Sequence, residues 1–300
     1  ERTVWDEDNP IEASEARIKC PEAHFARIFA ILGIKNSEMT DVATHVYKAR
    51  VVLGGDNIRT SEGKYAIFED VGNTPAALAA ARVFMAVNAA MPSMSLKQSD
   101  CVRAYVQASL PDNIPPTYIR IPKKWQPLSW AKFTDPVCLL KKALYGHPKA
   151  GDIWANRLKE VLVKDRGFKV LEGWPSVFLK RVGSKFCGIV VYVDDLLILG
   201  DDLADSEIKL IREQIEMEEP TGVGRYLGCK HDVVKTKVGS DIMTEYIYDM
   251  RDYFKSACDS FEREAGVKLK AASSPAPPAL TTAEVIALVE ADGVHGPSAP

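Results

Sequence analysis

The sequence predicts an α+β fold, an antiparallel sheet packed on helices, and three observations carry that prediction. Residues 168–182 and 185–199 are rich in Val, Ile, Leu and Phe, which favour half-buried strands, and the second stretch is interrupted by Asp194-Asp195 as a hairpin would be. Residues 149–164 read as a helix, and from Asp202 to about Met217 a second helix sets Ile208, Leu210, Ile211 and Ile215 on its inward side. The order of strand, helix, strand hairpin and helix is that of an α+β domain.

Taken in order, residues 1–21 are polar and irregular, and residues 23–32 carry a short helical pattern ended by Gly33; residues 1–44 are expected to form a lead-in. Val46, Tyr47, Val51, Val52 and Leu53 precede Gly54-Gly55-Asp56-Asn57, which predicts a basic β-ribbon carrying Lys48, Arg50 and Arg59. Thr74-Pro75 opens an Ala-rich helix running to about Met91, with the threonine as cap and the proline in the first turn. Residues 95–110 supply a strand and the start of a helix, and the prolines from Pro111 to Pro127 mark a loop with extended pieces. Asp201-Asp202 caps the helix that follows the hairpin. Residues 45–270 form the expected main domain, and residues 271–300 a Pro/Ala-rich linker and tail, with a helix over 281–291.

Composition narrows the function. Three hundred residues that are 46% hydrophobic and 26% charged can bury a sizeable core. No apolar run approaches the roughly 20 residues of a membrane helix, and residues 1–30 lack a signal-peptide pattern. A soluble intracellular protein with no membrane partner is expected, cytoplasmic or nuclear. Cys20, Cys101, Cys138, Cys187, Cys229 and Cys258 are scattered without a C-x-x-C pair, which argues against zinc and against a disulfide framework. A formal net charge of -3 opposes an overall polyanion coat, although Arg120 to Lys124, Lys141-Lys142, Lys180 to Lys185 and Lys230 to Lys237 leave room for a local positive groove. The first residue is Glu1, as expected of a piece of a longer polyprotein or an incomplete gene. No Ser-His-Asp or Cys-His set is identifiable.

Tyr192-Val193-Asp194-Asp195 places two adjacent carboxylates between apolar runs. Unit charges about 4 Å apart repel by roughly 4 kcal/mol at an effective dielectric near 20, so a divalent cation is expected between them. Neighbouring strand residues point to opposite faces, so a third carboxylate should come from elsewhere. Asp100, in Gln98-Ser99-Asp100, is the best candidate. The bland alternative is a solvated turn.

These segments carry a resemblance. Gln98-Ser99-Asp100 followed by Ala104-Tyr105, then residues 143–154, then Tyr192-Val193-Asp194-Asp195, then Tyr226-Leu227-Gly228, stand in the order seen in copia-type retrotransposon reverse transcriptases. Lys48-Ala49-Arg50-Val51-Val52 is similar to the fingers segment of that family, and Ser274-Pro275 to Leu280 to its Pro-rich stretch after the polymerase. The resemblance covers most of the chain. It implies a polymerase-like palm with fingers and an acidic hairpin at the active site. Asp100, Asp194 and Asp195 would be catalytic and would hold two Mg²⁺ or Mn²⁺ ions. Lys48, Arg50, Tyr105 and Lys149 would contact the incoming dNTP, and Tyr226, Leu227 and Gly228 the primer. Tyr105 also reads as a core tyrosine, Lys48 and Arg50 as solvated surface, Trp154 as core, and Tyr226-Leu227-Gly228 as an ordinary turn. Around His147 to Asp152 the sequence departs from the family pattern, with Lys149 where that pattern has Gln.

The resemblance implies an RNA-directed DNA polymerase that binds an RNA or DNA template with a primer. Ribonuclease H and integrase segments are expected elsewhere in the polyprotein. The alternative is a catalytically decayed retroelement remnant that folds and only binds nucleic acid. An unrelated metal-dependent phosphoryl-transfer enzyme ranks last, since no Walker-type segment is present.

Overall fold

The computed structural model of the protein describes residues 4–35, 43, 45–68, 76, 78–91, 93–239 and 241–270. The chain divides into two compact units, residues 1–253 and 254–300. The first unit opens with β1 (Ile11–Glu12), α1 (Ala13–Lys19), β2 (His24–Lys35), β3 (Val46–Leu53), β4 (Arg59–Thr60) and α2 (Leu78–Ala90). It continues with β5 (Ser95–Asp100), β6 (Thr117–Arg120), β7 (Pro136–Leu139), α3 (Ala150–Glu160), β8 (Lys169–Leu171), β9 (Trp174–Val182), β10 (Lys185–Tyr192) and β11 (Asp195–Gly200). Then follow α4 (Asp202–Arg212), β12 (Thr221–Gly222), β13 (Arg225–Tyr226), β14 (Cys229–Val238), β15 (Asp241–Asp249) and α5 (Arg251–Ala265), which runs on into the second unit.

The central sheet has the order β12-β5-β11-β10-β9-β8, with every pair antiparallel. Its two middle strands read as nearly unbroken apolar runs because both faces are covered. On one face Ile189, Val191, Leu196 and Ile198 pack with Trp154 and Leu158 of α3 and with Ile208 and Ile211 of α4. On the other, Val190, Leu197 and Leu199 pack with Phe84 and Met85 of α2. Full burial of each such side chain stabilises the fold by about 1.5–3 kcal/mol. The expected cap of α4 is present: the Asp201 side chain accepts from the Leu203 amide at 2.9 Å. The helix ends at Arg212 rather than near Met217, because the chain turns there and Met217 bridges to Cys101 beside β5.

A second sheet has the order β1-β7-β6-β2-β3, with β4 also on β2. Here the helical pattern over residues 23–32 is corrected. That segment is the long strand β2, hydrogen-bonded to β3, β4 and β6. Ala23, Phe25, Ala26 and Ile28 are buried, and three strand partners supply pairing that an isolated helix would not. The ribbon expected over residues 45–70 is corrected as well, since β3 and β4 pair with β2 and not with each other. Strands β1 and β2 of the expected lead-in belong to this sheet, and part of the stretch expected to be irregular is the helix α1. The expected Thr74-Pro75 cap, the linker at 271–300 and the helix at 281–291 lie outside the described residues.

The third sheet, β13-β14-β15, rests on α2 through Tyr246, whose hydroxyl donates to Asn88, and Tyr248, whose hydroxyl meets the Met85 sulfur at 3.2 Å. In the second unit, the segment after α5 turns so that Lys268 pairs with Glu262 at 2.6 Å.

Candidate active site

Tyr192 pairs with Asp195 across β10 and β11, so Val193-Asp194 is a two-residue hairpin connection. Val193 has φ 59°, a left-handed conformation that costs a β-branched residue on the order of 1–3 kcal/mol. Two hydrogen bonds hold the turn. The Trp154 indole N–H donates to the Val193 carbonyl at 2.8 Å, and the Cys101 amide to the Asp194 carbonyl at 2.8 Å. Trp154, read from sequence as core, is 1% exposed and also ties α3 to the hairpin.

The register sets Asp195 directly opposite Asp100 on β5. Cross-strand neighbours have Cβ atoms about 5 Å apart, and like charges there are unfavourable by about 3 kcal/mol at an effective dielectric near 20. Cys101, buried between these strands and the turn, senses the result. Its thiol is pushed far above the usual range, first by burial and then by Asp100, Asp194 and Asp195. Among the described residues no three His, Cys, Asp or Glu side chains are gathered closely enough to hold an ion as they stand. The donor set nevertheless suits a hard divalent ion in kind, being carboxylate oxygens crowded at one end of a sheet.

Asp100 and Asp194 line a cavity of about 730 Å³ together with Lys48 and Arg50, and with Trp5 and Glu7 ahead of β1. These cations stand two residues apart on β3 and so share a face. Strand β3 is locked at its inner end: the Leu53 amide donates to the Tyr145 carbonyl at 2.7 Å. Gly146 has φ 88°, and a Cβ there would overlap the Leu53 carbonyl oxygen, while one on Gly55 would overlap the Gly146 carbonyl oxygen. The Leu144-Tyr145-Gly146 motif and Gly54-Gly55 are therefore two halves of one backbone contact.

The other expected site residues are distributed differently. Tyr105 lies on a single 3-10 turn over Ala104–Gln107, not on a helix, because the chain reverses there from the left-handed Arg103 (φ 52°). Its ring packs against the core and against Tyr145, with centroids 4.6 Å apart, and it is Tyr145 that lines the cavity. Burial raises the pKa of both tyrosines, with Asp194 adding to it, and Arg50 opposes the rise at Tyr145. Lys149 is not brought to this cavity. It precedes α3, pairs with Asp152 at 3.9 Å, and lines a separate cavity with Pro111 and Asn113. Leu227 and Gly228, both at positive φ, make the tight β13–β14 turn. Tyr226 is 2% exposed and its hydroxyl has no hydrogen-bond partner, so its ring is a core group and only Leu227 and Gly228 are presented at the turn. Its hydroxyl pKa is raised, by burial first and then by Asp195.

Arg103 and Tyr145 line the cavity without having been singled out from sequence. The available signals were a basic residue between Asp100 and Tyr105, and an aromatic beside a glycine that only the packing explains.

Residues 31–250, more than half of the chain, match the family Reverse transcriptase (RNA-dependent DNA polymerase). The chain belongs to this family, in its Ty1/copia type. It is 28% identical over 197 residues to the Retrovirus-related Pol polyprotein from transposon RE2 of Arabidopsis thaliana, a match covering 64% of this chain and 12% of that protein. It is 28% identical over 203 residues to the RE1 counterpart from the same plant, covering 66% and 13%. With the Transposon Ty1-GR3 Gag-Pol polyprotein of Saccharomyces cerevisiae it shares 27% over 180 residues, covering 60% and 9%. The chain thus corresponds to a small part of each of these polyproteins. The matched reverse transcriptase region contains β3, β5, α3, the β10–β11 hairpin and the β13–β14 turn.

Proposed function

We propose that the chain is the palm and fingers of an RNA-directed DNA polymerase from a copia-type retroelement. It adds deoxynucleotides to a primer 3'-hydroxyl on an RNA or DNA template. The observation that carries this reading is the cavity that Lys48, Arg50, Asp100 and Asp194 line together. The cations are placed to bind the triphosphate of a dNTP by charge-assisted hydrogen bonds. The carboxylates Asp100, Asp194 and Asp195 would hold Mg²⁺ or Mn²⁺, two ions, which when bound activate the attacking hydroxyl and neutralise the leaving pyrophosphate. Trp154 and Cys101 fix the turn that presents Asp194. Tyr145, backed by Tyr105, gives the cavity an aromatic surface for the nucleotide, and Leu227-Gly228 offers backbone to the primer. Ribonuclease H and integrase activities belong to other parts of such a polyprotein.

The second reading, a decayed remnant that only binds nucleic acid, is favoured by Lys149 alone. It replaces a family glutamine and lines a different cavity from Asp100. Extension of a labelled DNA primer on an RNA template with dNTPs and magnesium tests both. The polymerase reading expects extension that falls by more than about 100-fold in Asp194→Ala. Equal extension by the variant overturns it, and no extension by either folded protein under magnesium or manganese favours the remnant.

A further inference from the structure

A cavity of about 820 Å³ is lined by α3 and shares no lining residue with the acidic cavity. One wall is the outer face of α3 and the turn after it, and the other is the segment from Gln107 to Asn113 with Lys142. That second wall is fixed. Ser109 and Lys142 form a β-bridge, the Lys142 ammonium donates to the Ser109 hydroxyl at 2.9 Å, and the Ala143 amide to the Ala108 carbonyl at 2.9 Å. The floor is apolar, from Ile153 and Val163.

Charge is what distinguishes this groove. Lys142, Arg157, Lys159 and Lys164 line it against a single carboxylate, Glu160. Glu160 already meets Lys164 at 3.0 Å and Arg157 at 3.7 Å. A concave surface with three net positive charges, in a chain whose formal charge is -3, concentrates polyanions there. Arg157, Lys159 and Lys164 come from α3 and the turn after it and Lys142 from the segment joined to Ser109, so the cations line the groove from two parts of the chain, which suits successive phosphodiester groups better than one compact anion. The apolar floor and the amides of Asn113 and Asn156 suit the sugar and base faces between them.

We propose that this groove binds the phosphate backbone of a single nucleic-acid strand, as a second contact outside the acidic cavity. The choice of nucleic acid as the polyanion rests on the proposed function; the site itself rests on shape and charge. Helix α3 links the two regions, its Trp154 bonding the hairpin turn while Ile153, Asn156 and Arg157 line the groove. A strand held there extends the footprint beyond the catalytic cleft.

The test is binding without dNTPs, so that it does not depend on polymerase activity. A fluorescently labelled single-stranded RNA of about 20 nucleotides is titrated with the full chain and with the Lys159→Gln/Lys164→Gln variant, across salt from about 0.1 to 1 M. Loss of two phosphate contacts makes the log–log salt slope shallower by about 1.4, so the variant binds roughly 25-fold more weakly at 0.1 M and converges with the parent at 1 M. The Lys159→Arg/Lys164→Arg variant is expected to restore parental binding. Unchanged affinity and slope, with both proteins folded by circular dichroism, overturn the proposal. Displacement of the RNA by micromolar inorganic tripolyphosphate also overturns it, in favour of a site for free polyphosphate. The extension assay on Asp194→Ala is independent, so failure of the groove and failure of the polymerase reading are told apart.

Discussion

Replacing Trp154 by Phe removes one hydrogen bond and opens one small void, and both costs follow from the structure. The indole N–H donates to the Val193 carbonyl at 2.8 Å, and the ring is 1% exposed among Leu158, Phe168 and Ile189. A void of about 40 Å³ at about 24 cal/mol per Å³ costs about 1 kcal/mol. A carbonyl deprived of its partner in a half-buried turn costs about 1–1.5 kcal/mol more. Trp154→Phe is therefore expected to lower unfolding stability by about 2–2.5 kcal/mol, read as a lower urea midpoint with an unchanged m value. The same change frees the turn carrying Asp194, so the extension kcat falls while the nucleotide KM holds. A double-mutant cycle with Val193→Gly sharpens the argument, because glycine relieves the left-handed strain that the indole opposes. Coupling of at least about 0.5 kcal/mol is expected. A stability loss under about 0.5 kcal/mol, or strict additivity in the cycle, refutes the claim that Trp154 holds the hairpin.

Two further outcomes are expected. Gly146→Ala sets a Cβ against the Leu53 carbonyl oxygen at φ 88°, and should destabilise the fold by about 2–4 kcal/mol in thermal unfolding; a melting temperature within a degree or so of the parent's contradicts the packing described. His147 is buried, accepts from the Lys149 amide at Nδ1 (3.1 Å), and meets the Thr117 hydroxyl at 3.4 Å, and burial lowers its pKa from 6.5 to about 4. The unfolded chain then takes up its proton first as pH falls, so stability is complete above about 6.5 and declines down to about 4, by roughly 3 kcal/mol. Urea midpoints measured across that range should flatten in His147→Asn, and an equally steep profile in that variant assigns the acid sensitivity to other groups.

The central sheet was legible because its residues satisfy several constraints at once. Val190 and Leu197 face one layer and Ile189 and Ile198 the other, so the apolar run marked a doubly covered hairpin, and Asp201 announced the next helix. Strand β2 reads as a helix in sequence because Ala23, Ala26, Ala30 and the intervening Ile and Phe residues satisfy a helical spacing as well. Only its partners, remote in sequence, decide the matter, as Thr117 does at His24 and Leu53 at Ile28. The acidic positions could be read from charge cost, whereas Arg103 could not, since its place depends on a left-handed turn that no local composition signals. Lys149 shows the converse: a motif position specified its neighbourhood in sequence but not the cavity it enters.

The glycine contact between Leu53-Gly54-Gly55 and Gly146 makes the inner end of the β2–β3 ribbon behave as a clamped beam. Its far part, where Leu32 is 81% and Tyr47 85% exposed, is held among the described residues by the ribbon's own ladder. Lys48 and Arg50 sit on that free span, so the reach of their charges toward Asp100 is governed by flexure outward of Leu53. Rotation about the Leu53 end is blocked by the backbone it is pressed against. On the proposed polymerase reading, stiffening that span, by substitution far from any carboxylate, would alter how tightly a triphosphate is gripped while leaving the acidic end of the cavity as it is.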